Sequence, residues 1–435
     1  MALSKAALAA AAAGGLAAAG LGAGPALASN VVNVPCGVGH LSTAISTATS
    51  GEVLQLNKRC AYVLSSALPN VTVPLTIEGP STIARSTIGS PPAFSLLTVG
   101  VGGDLTTDNI NFVNGDGPTY GGAIYGEDGP VTVHGGTFAR NHSGEYGGAI
   151  YNEYGLTVTR ATFTGNTSAD YGGAIYNDDP ALVTGSTFTG NTAGDYGGAL
   201  YDSYDTVALN DTFNGNSATD DGGAIYVDDG TTTVGVAYFN GNSADYGGAI
   251  DNSGDALTVD HGYFKQNSAS DYGGALYNTS PATLKNTTFT GNNAGSYGGA
   301  IYNEDTLTVT TIAATGNTGE YGGAIYNEDA LTLDGGTFTS NTAEYGGGLE
   351  NDYQATIGTT TFQQNTATTA GGGIYNDSSG TLGLQFSKVI HNQAPGGEGG
   401  GIYNDGGTVN LTSTQVQYNF VNNCSPSASV AGCIG

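Results

Sequence analysis

The chain has 435 residues, of which 37 are acidic and 9 are basic, so its formal net charge at pH 7 is −28. A protein this anionic is a poor partner for nucleic acid or for an anionic membrane surface. No segment after residue 28 is apolar enough to span a bilayer. We therefore expect neither a nucleic-acid partner nor a membrane span in the body of the chain.

Residues 1–28 have the pattern of a secretory signal peptide. Lys5 gives a charged start, a run of Ala, Leu and Gly follows, and Ala26-Leu27-Ala28 forms a small-x-small cleavage site. An uncleaved membrane anchor is the alternative. We expect an exported protein that is secreted or associated with the cell envelope.

Residues 29–110 are expected to form an N-terminal cap and the first structural coils. One helical face is apolar over a short stretch that ends at Gly51. Its residues are Leu41, Ala44, Ile45 and Ala48. A short amphipathic helix here would cover the open end of a stacked structure, which otherwise exposes apolar core and unpaired strand edges.

The four cysteines lie near the two ends of the chain. Export favours two local disulfides, one between Cys36 and Cys60 and one between Cys424 and Cys433. A metal site is the weaker alternative because no pair has the Cys-x-x-Cys spacing. Residues 421–435, which contain the second pair, are expected to form a C-terminal cap.

Residues 111–420 repeat a short motif with a period close to 25 residues. The Gly-Gly pair opens at Gly121, Gly147, Gly172, Gly197, Gly222, Gly247, Gly273, Gly298, Gly322, Gly346, Gly371 and Gly399. A second signature, Phe-x-x-Asn, runs in phase with the first, as at Phe138/Asn141. A period in this range indicates a solenoid, a propeller or another array of stacked units.

Each repeat offers three short strands and no helix. Apolar residues alternate with polar ones, as in Leu156-Thr-Val158, which is the period of a strand with one buried face. The strands are the Gly-Gly-Ala-Ile-Tyr, Leu-Thr-Val and Phe-bearing segments. A four-stranded propeller blade would need about 40 residues. The sequence therefore predicts an all-β fold, a parallel β-helix with one coil per repeat.

Comparison of the repeats predicts which side chains face the core. The position after Gly-Gly-Ala is always Ile or Leu, so it points inward. The next position is usually Tyr, and because Asp251 and Glu350 also occupy it, we expect it to face solvent. The following Asn should point inward and hydrogen-bond from coil to coil. The residues expected to be buried include Ile150, Phe163, Ile175 and Phe188.

The two signatures resemble the repeats of the chlamydial polymorphic outer membrane proteins. They are also similar to the wider group of bacterial secreted right-handed β-helix proteins with the pectin-lyase-like fold, and the resemblance covers residues 112–419. It implies a right-handed solenoid and a surface-exposed, adhesive protein exported as an autotransporter passenger. Because only 16 residues follow Asn419, we expect release or loose envelope association rather than outer-membrane anchoring.

The same resemblance implies an alternative function, a polysaccharide lyase or glycoside hydrolase. A lyase of this fold is expected to carry an Asp cluster beside an Arg, and the few arginines form no such cluster. The candidate catalytic group lies where the repeat pattern breaks most clearly, at Asp220, Asp221, Asp251, Asp260 and His261. Solvated turn residues are the simpler interpretation of this group. We expect no catalytic residues, and a secreted surface, adhesion or structural repeat protein.

The tyrosines of the Gly-Gly-Ala-Ile-Tyr segment are the candidate binding residues. They share one phase of the repeat and should form a stripe of stacked rings. The stripe contains Tyr125, Tyr151, Tyr176, Tyr201, Tyr226, Tyr277, Tyr302, Tyr326, Tyr375 and Tyr403. Simple ladder packing is one interpretation. The other is a platform by which a monomer contacts a glycan or a cell-surface protein.

A row of acidic residues precedes the Tyr-Gly-Gly sequence in most repeats. It includes Glu145, Asp170, Asp195, Asp245, Asp271, Glu320 and Glu344. Like charges in adjacent coils repel by about 1 kcal/mol even in water. Ca²⁺ bound at Asp170, Asp195, Asp245 and Asp271 would relieve this repulsion, and screening by solvent ions is the alternative. No other cofactor is expected.

Overall fold

The structure is a computed structural model that describes residues 30–433. The predicted signal peptide lies outside the described residues. The described chain is a right-handed parallel β-helix of about 16 coils with a period of ~25 residues, which confirms the predicted fold. Each coil contributes strands to three parallel faces of the solenoid.

The first face, here called the long sheet, has 23 strands. They are Val31–Val34, Glu52–Leu56, Ala61–Leu64, Pro74–Arg85, Asp104–Val113, Val131–His134, Thr137–Ala139, Leu156–Thr159, Thr162–Thr164, Ala181–Thr184, Thr187–Thr189, Thr206–Leu209, Thr212–Asn214, Thr231–Asn240, Ala256–Lys265, Ala282–Thr290, Leu307–Thr315, Ala330–Thr339, Gln354–Gln363, Thr381–Gln385, Lys388–Ile390, Thr408–Thr412 and Gln415–Gln417. The Leu-Thr-Val and Phe-bearing segments of one repeat are therefore two halves of the same sheet.

The second face, here called the tyrosine sheet, has 14 strands. They are Leu97–Val99, Ile124–Gly126, Ile150–Asn152, Ile175–Asn177, Leu200–Asp202, Ile225–Val227, Ile250–Asn252, Leu276–Asn278, Ile301–Asn303, Ile325–Asn327, Leu349–Asn351, Ile374–Asn376, Ile402–Asn404 and Cys424–Ser425. The third face has shorter strands, at Asp116–Gly117, His142–Ser143, Thr167–Ser168, Thr192–Ala193, Ser243–Tyr246, Ser268–Tyr272, Asn293–Ala294, Thr342–Tyr345 and Thr366–Ala370.

Residues with positive φ form the corners of each coil. One corner divides the long sheet into its two halves, as at Arg160 (φ 53°), and another follows the Phe half, as at Arg140 (φ 52°). The third is the first glycine of the Gly-Gly pair, as at Gly147 (φ 61°). A single left-handed residue turns an extended chain sharply. Two of these residues therefore separate the third face from the long sheet and from the tyrosine sheet, and the other bends the long sheet between its two halves.

The second glycine of each pair has a different role from the first. A Cβ at Gly148 would lie 2.2 Å from the carbonyl oxygen of Gly173 and 2.5 Å from that of Thr167. The backbones approach too closely here for any side chain. The first glycine of the pair therefore supplies the left-handed turn, and the second allows the close approach of two backbones.

The core consists of side-chain ladders that run along the solenoid. Ile150, Ile175, Phe163 and Phe188 are fully buried, as predicted. The rings of Phe163 and Phe188 stack with their centroids 4.8 Å apart and their planes 5° from parallel. Each core residue therefore packs against its own counterpart in the next coil.

The asparagine of Phe-x-x-Asn forms a buried hydrogen-bonded ladder. In Asn242, Nδ2 donates to Oδ1 of Asn267 (3.0 Å) and to the carbonyl oxygen of Phe213 (3.1 Å). Its Oδ1 accepts from the backbone N–H (2.9 Å) and Nδ2 (3.0 Å) of Asn216. The ladder comprises Asn141, Asn166, Asn191, Asn216, Asn242, Asn267, Asn292, Asn317, Asn341, Asn365, Asn392 and Asn419. Each rung thus connects three coils.

A second asparagine ladder follows the tyrosine positions, as predicted. Nδ2 of Asn252 donates to Oδ1 of Asn278 over 2.7 Å. The ladder continues through Asn303, Asn327, Asn351, Asn376 and Asn404. Asp202 occupies the same column nearer the N-terminus and is fully buried. An acid at this position changes the electrostatics of the core.

Hydroxyl groups surround the carboxyl group of Asp202. Oγ1 of Thr206 and Oγ1 of Thr232 each donate to it over 2.6 Å. Burial raises the pKa of Asp202 to about 7, although these hydrogen bonds and one from the backbone oppose the shift. The folded protein therefore holds a proton on Asp202 at pH values where the unfolded chain has lost it.

Both ends of the solenoid are covered. The α-helix Val38–Ser46 buries Leu41 and Ile45, which confirms the capping helix, although it ends before Gly51. The 3₁₀-helix Ser427–Ser429 lies near the other end. Cys36–Cys60 and Cys424–Cys433 are bridged, as predicted. Among residues 30–433 no helix has the length and apolar character that a membrane crossing requires.

Replacing Asn242 with Ala removes one rung and leaves groups of Asn216 and Phe213 unpaired. We expect a loss of about 3 kcal/mol or more in the free energy of unfolding, because each unpaired buried group costs roughly 1–3 kcal/mol. Urea unfolding measures this loss. The exposed Asn293→Ala variant is the control and should change stability by less than about 0.5 kcal/mol. Equal stability of the two variants would contradict the role of the ladder.

The Asp202→Asn variant should make stability less dependent on pH. The pKa of Asp202 in the folded protein is raised to about 7. The folded protein is therefore most stable, relative to the unfolded chain, below the unfolded pKa of Asp202, and it loses this stability as pH rises through about 7. We expect the free energy of unfolding of the Asn variant, measured relative to that of the wild type, to be roughly 1–4 kcal/mol higher at pH 8.5 than at pH 4. Urea midpoints at both pH values test this, with exposed Asp255→Asn as the control. Parallel pH profiles for wild type and Asp202→Asn would contradict it.

Candidate binding surface: a double column of tyrosines

The predicted tyrosine stripe is one of two tyrosine columns that lie side by side. The first column is the predicted stripe, on the outer side of the tyrosine sheet. The second column consists of the tyrosines that directly precede nine of the twelve Gly-Gly pairs. Its members are Tyr120, Tyr146, Tyr171, Tyr196, Tyr246, Tyr272, Tyr297, Tyr321 and Tyr345. We call the two columns together the tyrosine wall.

Rings in the wall contact each other within a column and between columns. Tyr176 and Tyr201 of the first column stack at 4.7 Å, and Tyr171 and Tyr196 of the second column stack at 5.2 Å. Across the columns, Tyr171 contacts Tyr201 of the next coil at 5.2 Å. The second column therefore packs against the first and covers part of it.

This packing changes the expected exposure of the predicted stripe. Tyr151, Tyr201, Tyr302 and Tyr326 are buried, with 6–7% of their surface exposed. Tyr176, Tyr226 and Tyr277 are partly exposed, as are the tyrosines of the second column. The rings available to a partner therefore include the second column, which the sequence analysis did not select as a candidate surface. Its sequence signal was the Tyr of Tyr-Gly-Gly.

Hydroxyl groups of the first column donate to a ladder of carboxylates. Tyr201 donates to Asp228 (2.7 Å) and Tyr326 to Asp352 (2.6 Å), each acceptor lying in the following coil. The other such pairs are Tyr151/Asp178, Tyr277/Glu304, Tyr302/Glu328 and Tyr375/Asp405. The sequence signal was the acidic residue after Ile-Tyr-Asn. These bonds fix the rings and leave the carboxylates at the edge of the wall.

The hydroxyl groups of the first column remain protonated over the physiological pH range. Burial, followed by the charges of Glu127 and Glu153, raises the pKa of Tyr125 to about 12. Burial likewise raises the pKa of Tyr201, and the hydrogen bond to Asp228 adds to the shift. The first column therefore presents neutral phenol groups beside negatively charged carboxylates.

The prediction that Asp251 and Glu350 face solvent is wrong. Both occupy first-column positions, yet Asp251 is 1% exposed and Glu350 is 5% exposed. Each acid has a tyrosine on both sides in its column, Tyr226 and Tyr277 for Asp251 and Tyr326 and Tyr375 for Glu350. The presence of an acid at a repeat position is therefore no proof that the position is solvated.

Asp221 and Asp251 form a pair that replaces one contact of the wall. Asp221 occupies the second column between Tyr196 and Tyr246, and Asp251 occupies the first column one coil further on. A second-column ring and the first-column ring of the next coil are contact partners elsewhere, as Tyr171 and Tyr201 show. The structure thus brings these two acids together where two rings would otherwise meet.

Both acids of this pair hold protons more strongly than exposed carboxyl groups do. Burial, followed by the charge of Asp221, raises the pKa of Asp251 well above its usual value. Burial and the charges of Asp220 and Asp245 raise the pKa of Asp221 to about 6. Oγ of Ser253 donates to Asp251 over 2.7 Å. Keeping this pair ionised in the folded protein therefore costs free energy, and this cost appears as pH rises.

The structure places Asp220 beside this pair but not Asp260 or His261. Asp260 and His261 lie in a strand of the long sheet, where His261 occupies a corner with φ 59°. Nδ1 of His261 lies 2.7 Å from Oδ1 of Asp260, and both side chains are half-exposed. Asp220 belongs to the acidic ladder beside the wall. The five residues therefore divide between two faces of the solenoid.

A second interruption of the wall lies near its C-terminal end. Burial, followed by the charge of Asp352, raises the pKa of Glu350 to about 9. Oε2 of Glu350 and Oδ1 of Asp352 have no hydrogen-bond partner among residues 30–433. In the coil after Glu350, Ala370 occupies the second-column position and removes one ring from the wall. The wall is therefore continuous only between its interruptions.

The acids proposed to bind Ca²⁺ form a ladder along the other edge of the wall. The backbone N–H of Asp195 donates to the carbonyl oxygen of Asp170, and that of Asp245 to Asp220, so adjacent acids are in register. Burial and the charges of Asp170 and Asp220 raise the pKa of Asp195. Within the described part of the chain, no three His, Cys, Asp or Glu side chains are grouped as a metal site requires. Calcium binding at Asp170, Asp195, Asp245 and Asp271 stays a prediction.

Comparison with protein families finds the repeat that the sequence resembles. Seven segments match the Chlamydia polymorphic membrane protein (Chlamydia_PMP) repeat, at residues 135–153, 160–178, 185–203, 212–228, 262–279, 286–304 and 359–377. No curated protein matches the chain. The chain is therefore a right-handed parallel β-helix that carries copies of this repeat.

Solved structures give similarities of low TM-score. The PL6 family polysaccharide lyase Pedsa3628 from Pseudopedobacter saltans is 12% identical over 92% of this chain and 95% of that chain, with a TM-score of 0.33. The PL6 family alginate lyase AlyGC is 9% identical over 88% of this chain and 89% of that chain, with a TM-score of 0.19. At these TM-scores the similarities carry no argument about this protein.

Restoring the wall at the acidic pair should stabilise the protein in a pH-dependent way. The Asp221→Tyr/Asp251→Tyr variant replaces two poorly solvated carboxyl groups with the rings found in other coils. Because both pKa values are raised in the folded state, the wild type loses stability as pH rises. We expect the urea midpoint of the variant to exceed that of the wild type by more at pH 8 than at pH 4.5. An equal difference at both pH values would contradict the raised pKa values of Asp221 and Asp251.

Proposed function

We propose that this protein is an extracellular, non-catalytic attachment protein whose tyrosine wall is the contact surface. The observation that carries the proposal is the wall itself, in which a column of partly exposed tyrosine rings packs in register on a second, more buried column and carboxylates border both. The match to the chlamydial repeat agrees with a role at a cell surface. The two disulfides support an oxidising, extracellular location.

The wall has the physical properties of a preformed recognition surface. Tyrosine supplies a large amphipathic contact area with only two side-chain torsions to immobilise. Here stacking fixes those torsions before any partner binds, for example between Tyr321 and Tyr345, whose rings are 5.4 Å apart and 4° from parallel. Little ordering entropy is then lost on binding. The repeat multiplies the same contact along the solenoid, which favours attachment by many weak contacts.

The charge beside the wall selects the kind of partner. One acidic ladder precedes the second column, and the carboxylates bonded to the first column lie on the other side. Protonated amines and guanidinium groups bind both carboxylates and the faces of tyrosine rings. We propose that the partner is a cell-surface protein that presents Lys and Arg side chains. Release or loose association with the envelope would leave the wall free to bind it.

Burial of the unusual acid supports a non-catalytic role. Asp251 is covered by its neighbours, and a catalytic group has to reach the atoms of its substrate. His261 lies on another sheet, beside Asp260 rather than the acidic pair. The polysaccharide-cleaving alternative predicts depolymerisation that the Asp221→Asn/Asp251→Asn variant abolishes. We expect no depolymerisation of polysaccharides by either protein.

Attachment should depend on the second tyrosine column. The variant Tyr297→Thr/Tyr321→Thr/Tyr345→Thr removes three consecutive, partly exposed rings and keeps strand propensity. We expect attachment to cells or to immobilised basic proteins to fall at least about tenfold, which is ~1.4 kcal/mol. Cell adhesion and surface plasmon resonance measure this change.

The matched control for this variant replaces tyrosines that are exposed but lie outside the wall. Tyr154→Thr/Tyr353→Thr removes rings that are 41% and 52% exposed and should leave attachment unchanged. Circular dichroism at the assay temperature must show that both variants are folded. Full attachment by a folded triple variant, or no attachment by the wild type, would overturn the proposal.

A further inference from the structure

A second aromatic feature lies on the long sheet, away from the tyrosine wall. Tyr238 and Tyr263 are the residues before the ladder phenylalanines Phe239 and Phe264, a position that is Thr in many other coils. Their rings stack at 4.8 Å with planes 10° from parallel. They are 48% and 37% exposed, unlike the buried tyrosines of the first column. Core packing does not explain this pair because neither ring faces the interior.

The stack of two rings ends abruptly on both sides. Tyr238 is paired in the sheet with Thr212 of the preceding coil, and Tyr263 with Thr288 of the following coil. A threonine side chain is too short to cover a phenol ring, so each ring keeps one uncovered face. In the tyrosine wall, by contrast, rings continue from coil to coil. The pair therefore offers two flat apolar surfaces that point along the solenoid axis.

Polar side chains line the groove around these ring faces. The groove has a volume of about 460 Å³, which is within the usual range for ligand sites. Its polar residues are Thr212, Asn214, Asn240, Lys265, Thr288 and Thr290. Amide and hydroxyl groups beside a flat apolar face match a pyranose ring, which has apolar C–H faces and hydroxyl groups around its edge.

The electrostatics of this face differ from those of the rest of the molecule. Twelve strand segments, from Thr137–Ala139 to Gln415–Gln417, each present the two residues that flank the buried ladder position. In these described segments none of the flanking residues is Asp or Glu. Lys265 forms no ion pair with any residue between 30 and 433. Distant carboxylates are screened within about 8 Å at physiological salt, so a negative ligand can approach Lys265.

We propose that Tyr238, Tyr263 and Lys265 form a binding site for an acidic glycan, a carbohydrate chain whose sugars carry carboxylate groups. A sugar ring stacks on the free face of Tyr263 above Thr288, and a second stacks on the free face of Tyr238 above Thr212. Lys265 pairs with a carboxylate of the chain. Asn214, Asn240 and Thr290 hydrogen-bond to its hydroxyl groups. This site is separate from the tyrosine wall and does not depend on the proposed function of the wall.

The test measures binding of two defined probes to the full-length protein by isothermal titration calorimetry. The probes are a hexamer of galacturonic acid and the uncharged cellohexaose. We expect the acidic hexamer to bind at least about tenfold more tightly than the uncharged one. No binding of the acidic hexamer, or equal binding of both probes, would overturn the proposal.

Two variants restore the residues of neighbouring coils and are therefore expected to fold. Tyr238→Thr/Tyr263→Thr should weaken binding of the acidic hexamer at least about tenfold, and Lys265→Thr at least about fivefold. Circular dichroism and the urea midpoint confirm that each is folded. Wild-type affinity in either folded variant would contradict the site. A folded Tyr297→Thr/Tyr321→Thr/Tyr345→Thr protein should keep full affinity, and a loss there would place the glycan on the wall instead.

Discussion

The structure depends on one constraint, the in-register stacking of parallel coils. Each residue lies directly beside its counterpart in the adjacent repeat, as Ile150 does with Ile175 and Phe163 with Phe188. A side chain at any position is therefore the neighbour of another copy of itself. Residues that interact well with their own copies are favoured, and this selects the composition of the whole chain.

Asparagine, phenylalanine and tyrosine satisfy this constraint in different ways. Asparagine carries both a donor and an acceptor, so Asn216 can donate to Asn242 while Asn242 donates to Asn267. Aromatic rings stack face to face at the spacing of the coils. A carboxylate has no donor and repels a copy of itself. An acidic residue is therefore stable in a buried column only when its carboxyl group is protonated and no other acid is its neighbour in the column. Asp202 follows this rule, since its column neighbours are Asn177 and Val227.

The sequence was sufficient to predict the fold because the repeats report on one another. The invariably apolar position after Gly-Gly-Ala identified the core, and the regular period identified the coil. The exposure of the tyrosines could not be predicted in the same way. It depends on Tyr171 packing against Tyr201 of the next coil, a contact between different phases of the repeat. For the same reason Asp251 was expected in solvent and lies buried.

Departures from the repeat are where sequence reasoning was least secure and where the structure is most informative. The acidic pair at Asp221 and Asp251 could be identified as a departure, but only the stacking of the two columns shows that the two acids meet. Tyr238 and Tyr263 were not identified, because aromatic residues are common in this chain and a tyrosine in a strand is ordinary. Their significance follows from their place among threonine-rich strand segments whose outward residues include Lys265 but no Asp or Glu.

These two kinds of surface lie on different sheets of one rigid body. The tyrosine wall extends over many coils with two interruptions and is acidic at its edges, so it suits a cationic partner contacted at many points. The face around Tyr238 and Tyr263 is local and free of carboxylates, so it suits a single ligand segment. Because the strands of every coil are hydrogen-bonded to the next, neither surface has to deform for the other to be occupied. A solenoid built by self-matching residues can therefore carry independent sites wherever the repeat is broken on its outer side.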